Sequence, residues 1–152
     1  MGYDVHITRK ENWFDKGQDI TLPEWKAYLN KDSEMRLENM AEAKTDEGAV
    51  LRLESEGLAV WTRYSGHEKN ENMAWFDYRE GNITVKNPDD EILYKMISIS
   101  RSLNAKVQGD EGETYPLKED SPPVDSSQNT SSHLPLVGGI GIIVIIVVVW
   151  TL

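Results

Sequence analysis

The chain has 152 residues, no cysteine, and 26 acidic against 16 basic residues, which gives a formal net charge of −10 at neutral pH. The lack of cysteine excludes a disulfide framework and a thiolate zinc site. The acidic excess makes nucleic acid and anionic lipid headgroups poor partners, and it favours either solubility alone or attraction to a basic protein.

Composition divides the chain into three parts. Residues 1–115 contain four tryptophans and regular alternations of apolar and polar residues, so we expect them to form a globular domain. Residues 116–133 are rich in Pro, Ser and acidic residues, and such a segment buries too little apolar surface to fold. We expect a disordered tether there, followed by a transmembrane anchor over residues 134–152.

The first half of the globular part predicts a strand, a helix and a hairpin. Residues 3–8 alternate apolar and polar side chains, which is typical of a strand. Thr21 and Glu24 have the spacing of a capping box and predict a helix that ends near Asn30. The segments on either side of residues 46–48, Asp-Glu-Gly, predict two strands joined by a turn.

The second half predicts more strands and a second helix. The stretches LAVWTRY, MAWFDY, ITVKN and AKVQG predict strands, because they are rich in aromatic and β-branched residues or alternate in polarity. Asn87 as N-cap and Pro88 in the first turn predict a helix that ends near Asn104. The order β-α-β-β-β-β-β-α-β predicts an α+β domain with a mainly antiparallel sheet and two packed helices.

The sequence carries no catalytic motif: it has no glycine-rich phosphate loop, no G-x-S-x-G and no H-E-x-x-H. His6 lies on the first predicted strand, on the side opposite the apolar residues, and a structural or surface role is the plain interpretation. The alternative is a metal-dependent or hydrolytic enzyme that uses His6 with carboxylates such as Asp77 or Glu113. The acidic loop Asp110–Glu113 lacks the spacing of a calcium loop. We therefore predict no catalytic residue, no metal and no cofactor.

Four aromatic residues are candidates for contact with a protein partner. Trp13 and Phe14 lie between a strand and a helix, where they either cover the core or form an exposed anchor. Trp61 and Trp75 lie on adjacent predicted strands. They either pack in the core or form an aromatic patch on an exposed face of the sheet.

The stretch LPLVGGIGIIVIIVVVWTL, residues 134–152, contains no charged side chain. As a helix it would be roughly 28 Å long, close to the ~30 Å hydrocarbon core of a bilayer. Trp150 is placed for the membrane–water interface. The residues expected to contact lipid include Leu134, Ile142, Ile145, Val149 and Trp150. Burial of this segment in a partner or an oligomer is the other interpretation.

These features predict a single-pass membrane protein with a C-terminal anchor. No signal peptide is apparent, so we expect the N-terminal domain on the cytoplasmic side. The expected function is to bind a protein partner at the membrane, and an immunity or inhibitor role is one version of it. The alternatives are the enzyme described above and a structural protein that associates with itself through an exposed sheet edge.

Several stretches resemble a family of small, uncharacterised bacterial proteins. They are YDVHITR, ITLPEW, WFDYREGNITVKNPDDEI and LNAKVQGDEGE. The resemblance covers residues 3–115 and is most specific at Ile83–Ile92 and Lys106–Glu113. It implies a single soluble α+β domain in a bacterial cytoplasm and offers no catalytic residues. Small acidic proteins of this kind are often partner-binding modules, including immunity proteins. The step from the resemblance to that role is an analogy.

Overall fold

The computed structural model of the chain describes residues 2–69 and 73–116. Apart from Pro116, the predicted tether over 116–133 and the predicted anchor over 134–152 lie outside the described residues. Within the described ranges, no helix is long and apolar enough to cross a membrane.

The two described ranges form nine strands and two helices. In chain order these are β1 (Asp4–Thr8), α1 (Leu22–Lys31), β2 (Met35–Leu37), β3 (Met40–Lys44), β4 (Val50–Glu54), β5 (Ala59–Trp61), β6 (Trp75–Arg79), β7 (Asn82–Lys86), α2 (Asp90–Ser102), β8 (Lys106–Gly109) and β9 (Thr114–Tyr115). The predicted α+β class, with a mainly antiparallel sheet and two helices, is confirmed. The short strands β2 and β9 were not predicted, because two or three residues carry no readable periodicity.

Seven of the strands form one sheet in the order β2-β5-β6-β7-β1-β8-β9, and all of its neighbours are antiparallel. Strands β3 and β4 form a separate two-stranded hairpin around the predicted turn. The first strand of the chain therefore lies inside the larger sheet, between β7 and β8.

The two faces of the larger sheet differ in character. On one face, side chains from β1, β6, β7 and β8 pack with the helices into the core; they are Val5, Ile7, Phe76, Ile83, Val85 and Val107. Removal of such aliphatic and aromatic surface from water is the main force that holds the helices on the sheet. Because side chains alternate along a strand, the intervening residues point to the opposite face.

The first helix forms as predicted. Thr21 accepts a hydrogen bond from the Glu24 N–H, and the Glu24 side chain accepts one from the Thr21 N–H, so the capping box is complete. Trp25 and Leu29 are the buried residues of this helix. The Trp25 indole N–H also donates to the Gly57 carbonyl oxygen at 2.7 Å, which ties α1 to the start of β5.

The second helix begins later than predicted, and the prediction of Asn87 as its N-cap is wrong. The cap is Asp89, whose side chain accepts a hydrogen bond from the Ile92 N–H. Asn87 instead has a positive φ of 47°, and its side-chain oxygen accepts a hydrogen bond from the Tyr3 N–H at 2.8 Å. Asn and Asp are both good caps, and here Asn87 is used by its contact with Tyr3, just before β1, so Asp89 caps the helix.

An ionic cluster joins α2 to the segment after α1. The Lys95 ammonium donates to Asp32 Oδ2 at 2.8 Å and to Glu34 Oε2 at 3.0 Å, and it lies 5.6 Å from the centroid of the Trp61 ring. The hydrogen bond from Lys95 lowers the pKa of the Glu34 carboxyl. Tyr28 also donates to Asp32, so the cluster is closed by groups from both helices.

Gly57 gives a direct test of this packing. Its φ is +87°, and a Cβ at this position would lie 2.8 Å from Leu22 Cδ1 and from Tyr78 Cβ. We expect Gly57→Ala to lower the free energy of unfolding through backbone strain plus this collision. Gly48 has a similar φ of +82° with nothing within 4 Å, so Gly48→Ala measures strain alone.

Residues 1–119 form one compact unit that contains all the described helices and strands, and its unfolding in urea, followed by tryptophan fluorescence, measures both variants. Gly57→Ala should lose about 1–3 kcal/mol more than Gly48→Ala, which is the usual cost of overpacking. Equal losses would show that the contact of α1 with Gly57 is not tight.

Candidate binding site on the polar face of the sheet

The face of the larger sheet opposite the helices carries polar side chains. We call it the polar face, and it consists of Asp4, His6 and Thr8 on β1, Asp77 and Arg79 on β6, Asn82, Thr84 and Lys86 on β7, and Gln108 on β8. Six of these nine side chains are buried, and they are His6, Thr8, Asp77, Asn82, Thr84 and Gln108. Burial of polar groups costs free energy unless each one is hydrogen-bonded. A face with this many buried polar side chains is therefore a candidate binding site.

His6 is held on three sides. Its Nδ1 lies 3.0 Å from Thr84 Oγ1, and its Nε2 lies 3.1 Å from Asp110 Oδ1. The Trp13 ring stacks on the imidazole with a centroid distance of 4.2 Å and an interplanar angle of 10°. The strand alternation therefore does place His6 opposite the apolar residues of β1, but the connection from β1 to α1 covers it.

Asp110 carries a negative charge into this cluster. Its Oδ2 accepts a hydrogen bond from the Asp4 N–H at 2.9 Å. Burial acts to raise the pKa of the Asp110 carboxyl, but the hydrogen bonds from Asp4 and His6 outweigh it, and the net shift is downward from 3.8. Asp110 is therefore ionised at neutral pH.

The geometry of His6 bears on the enzyme alternative. A general base needs a ring nitrogen that reaches the proton of a substrate, and here both nitrogens contact protein atoms. The carboxylates considered from the sequence contact other groups. Asp77 accepts hydrogen bonds from Ser55 Oγ at 2.6 Å and from Arg79 Nε at 2.7 Å. Glu113 lies beside Tyr115. Burial is the main cause that raises the pKa of the Tyr115 phenol, and the Glu113 charge adds to it. In this arrangement His6 orients Asp110.

Metal binding receives no geometric support from residues 2–69 and 73–116. In these ranges no group of three or more His, Asp or Glu side chains is arranged to hold a metal ion. In the loop 110–113, Asp110 contacts His6 and β1, which leaves the loop without a converging set of carboxylates.

Two adjoining cavities open on the polar face. The first has a volume of about 480 Å³ and is lined by the sheet residues Trp75, Asp77 and Lys86 and by the hairpin residues Ala41 and Leu53, among others. The second has a volume of about 300 Å³ and is lined by Asp4, His6, Trp13, Arg79, Glu80, Asn82, Thr84 and Asp110. Both are lined by Asp4, Arg79 and Thr84, so the cavities are neighbours on one face.

One residue in the lining of the second cavity, Asn82, has a side-chain oxygen that is closed off from solvent. Asn82 is 3% exposed, and its Nδ2 donates to the Trp13 carbonyl oxygen at 2.7 Å. Its Oδ1 has no hydrogen-bond partner among residues 2–69 and 73–116. The Lys10 ammonium lies near Glu80, since it donates to the Glu80 carbonyl oxygen at 2.6 Å and lies 3.3 Å from Asp19 Oδ1.

The four candidate aromatic residues do not form one patch. Trp13 is half-buried on His6, while Phe14 is 63% exposed and meets Trp13 edge-on at 5.4 Å. Trp61 is buried in the core beside Lys95. Trp75 pairs with Val60 across β5 and β6, so it lies on the polar face while Trp61 points the opposite way. Trp13 and Trp75 therefore line the cavities, and Trp61 does not.

Sequence reasoning missed the contributions of Asn82, Thr84 and Asp110 to this site. The stretch NITVK did offer a signal, because Asn82, Thr84 and Lys86 alternate with buried aliphatic residues and must share a face. Nothing in the sequence indicated that Asp110 contacts His6, which is 104 residues away.

The chain has no match among protein-family models, curated proteins or solved structures. The resemblance to a bacterial family therefore stays an expectation. We infer the function from the described residues and from the sequence of the remaining ones.

Asp110 provides a test of the cluster by pH. Because the pKa of its carboxyl is lower in the folded than in the unfolded chain, its contribution to stability is present at neutral pH and is lost as the pH falls through the lowered value. We expect Asp110→Asn to cost about 1 kcal/mol at neutral pH, since about a third of the side chain is exposed and solvent screens the charge.

Urea unfolding of residues 1–119 at several pH values checks this. The difference between wild type and Asp110→Asn should be present at pH 7 and should shrink once the pH falls below the ordinary aspartate value of 3.8. Glu111→Gln removes the same charge from an exposed neighbour and is the control. A constant difference over the whole pH range would contradict the lowered pKa.

Proposed function

We propose that the chain is a single-pass membrane protein whose folded domain binds a basic protein partner. The observation that carries the partner-binding role is the hairpin of β3 and β4, which exposes aliphatic side chains next to the first cavity. The anchoring role is supported by the sequence of residues 134–152. An immunity or inhibitor activity is one form that such binding takes.

The support for anchoring is physical. Residues 134–152 contain no charged side chain, and their length as a helix matches the hydrocarbon core of a bilayer. In lipid the backbone satisfies its own hydrogen bonds as a helix, which overrides the low helix propensity of the many Val and Ile residues. The preceding 18 residues, 116–133, would span on the order of 25 Å as a flexible coil and would let the domain reach a partner beside the membrane.

The hairpin has an apolar side and a charged side. Ala41 pairs with Leu53 and Ala43 pairs with Leu51, so these four side chains share one side, which we call the hairpin surface. Leu51 is 62% exposed and Leu53 is 49% exposed. On the other side Arg52 forms an ion pair with Glu54, with 3.1 Å between Arg52 Nε and Glu54 Oε1. A neighbouring group of exposed aliphatic side chains is typical of an interaction surface.

Charge favours a basic partner over a second copy of the chain. The net charge is −10, so two copies repel each other. The turn at the tip of the hairpin contains Asp46 and Glu47. The first cavity beside its base is lined by three carboxylates, from Asp4, Asp77 and Asp89, against two basic side chains, from Arg79 and Lys86. A partner with an apolar patch surrounded by Lys and Arg complements this arrangement in both shape and charge.

Anchoring is tested by deletion of residues 134–152. We expect the full-length chain to sediment with membranes and to need detergent for extraction, because about 19 apolar residues partition strongly into lipid. The truncated chain should stay in the supernatant. Extraction of the full-length chain by alkaline carbonate without detergent would argue against the anchor.

The hairpin surface is tested by photocrosslinking in the host cell. A photoreactive residue at Leu51 should give one discrete adduct with a protein of net positive charge, and the same residue at Glu42, on the charged side, should give none. Leu53→Thr should reduce the adduct at Leu51, while Val50→Thr, on the charged side, should leave it unchanged. An adduct with the mass of two copies of the chain would favour self-association instead.

A further inference from the structure

We propose that the partner of the hairpin surface binds by strand addition, in which an extended segment of the partner pairs antiparallel with the open edge of β4. Apolar side chains of that segment would lie against Leu51 and Leu53, and a basic side chain would lie opposite Glu54. This inference rests on the proposed function for the identity of the partner. It adds the mode of contact and the chemistry of the segment that makes it.

The first step is the direction of the backbone groups in the hairpin. At its two ends, the Thr45 N–H donates to the Ala49 carbonyl oxygen, and the Ser55 N–H donates to the Asn39 carbonyl oxygen. Along an antiparallel ladder, pairs that exchange hydrogen bonds alternate with pairs that do not. In this register the odd-numbered residues of the two strands therefore bond to each other. The even-numbered residues direct their N–H and C=O groups away from the hairpin.

In β4 these outward groups belong to Val50, Arg52 and Glu54, and no strand in the described part of the chain pairs with them. All five residues of β4 are exposed. Edge strands are usually protected by proline, bulges or charge. Residues 50–54 contain no proline, their ladder has no bulge, and the charge of Arg52 is shared with Glu42 and Glu54, whose Oε1 atoms lie 4.0 and 3.1 Å from its Nε. A two-stranded sheet is marginally stable, so a third strand would also stabilise the hairpin.

The second step is the choice between the two edges of the hairpin. Strand β3 has outward backbone groups of the same kind, so apolar surface decides. A segment beside β4 packs against Leu51 and Leu53, whereas a segment beside β3 meets only Ala41 and Ala43 on the same side. Cross-strand aliphatic pairs stabilise a sheet through the surface that they bury, and leucine buries more than alanine. The edge of β4 is therefore the favoured one.

The third step is the chemistry of the added segment. Residues opposite the two leucines of the hairpin surface are apolar, and the residues that alternate with them lie on the charged side of the hairpin. A Lys or Arg opposite Glu54 forms a cross-strand ion pair, while a small polar residue suits the position opposite Arg52, because like charges placed there repel. Beyond Val50, the turn with Asp46 and Glu47 attracts a second basic residue. The segment therefore alternates apolar and polar residues and is basic at both ends.

The test uses the full-length chain in zwitterionic micelles with ¹⁵N-labelled valine. The Val50 N–H points to the open edge, and its signal is assigned by its loss in Val50→Ile. Val60 lies between β2 and β6 and is the internal control. The probe is the pentapeptide N-acetyl-Lys-Val-Thr-Val-Lys amide. We expect a saturable downfield shift of the Val50 N–H signal, because this N–H gains an acceptor, and no shift at Val60.

Modified peptides test the backbone contact and the charge. In antiparallel pairing the central Thr of the peptide directs its N–H at β4, while the two valines direct theirs away. N-methylation of the Thr should weaken binding at least about tenfold, since it removes one hydrogen bond and blocks close approach. N-methylation of the two valines is the matched control and should leave binding nearly unchanged. Replacement of both lysines by Glu should weaken binding about threefold to fivefold.

Two proline variants identify the strand that is used. Arg52→Pro removes an outward N–H from β4, and Glu42→Pro removes the equivalent N–H from β3, while the ladder inside the hairpin keeps its hydrogen bonds. Arg52→Pro should weaken binding of the pentapeptide about fivefold to tenfold, and Glu42→Pro should have no effect. Arg52→Thr removes the same charge but keeps the N–H, and it should leave the affinity within about twofold of wild type.

Four results would overturn the proposal. They are a Val50 signal that does not move with the peptide, equal weakening by the two kinds of N-methylation, Glu42→Pro as damaging as Arg52→Pro, and binding of the Glu peptide as tight as that of the Lys peptide. A Val50 signal that moves with the concentration of the chain alone would assign the edge to a second copy and would overturn it as well.

The outcome is separable from that of the proposed function. An adduct at Leu51 with no binding of the pentapeptide would keep the interface on the hairpin and overturn strand addition. Binding of the pentapeptide at Val50 with no adduct at Leu51 would support the open edge as a binding site and overturn the basic partner in the host cell.

Discussion

The antiparallel pairing of β1 with β7 is the constraint on which the rest of the structure depends. Its register sets Val5 against Val85 and His6 against Thr84, so one face of the sheet is aliphatic and the other is polar. A shift of one residue would exchange the two faces and place His6 among the helices. The composition of the core, the position of His6 and the lining of both cavities therefore depend on the register of β1 with β7.

Much of the domain could be predicted because its signals are local. The capping box at Thr21, the turn of the hairpin and the alternation around His6 each occupy fewer than about ten residues, and each is observed. The predictions that failed depended on distant contacts. Asn87 is a plausible cap by itself, but it bonds to Tyr3 instead.

The candidate site was harder to predict than the fold, because its members come from segments of the domain that are far apart in the sequence. His6 and Asp110 have ordinary roles when each is considered alone, and only the pairing of β1 with β8 brings them together. The same applies to Trp61 and Trp75, which a one-residue difference in register places on opposite faces. Sequence patterns indicate which face a residue occupies, but they do not indicate what lies across from it.

The central position of β1 also governs the order in which the domain assembles. Residues 4–8 are made before their neighbours in the sheet, which are residues 82–86 and 106–109. Contacts between such distant segments close slowly, because a long loop has to be ordered before any of them forms. During synthesis the hairpin and α1 can form early, while both edges of β1 stay unpaired until β7 and β8 have been made. Unpaired strand edges favour aggregation, so the two open edges of β1 are a hazard until β7 and β8 pair with them.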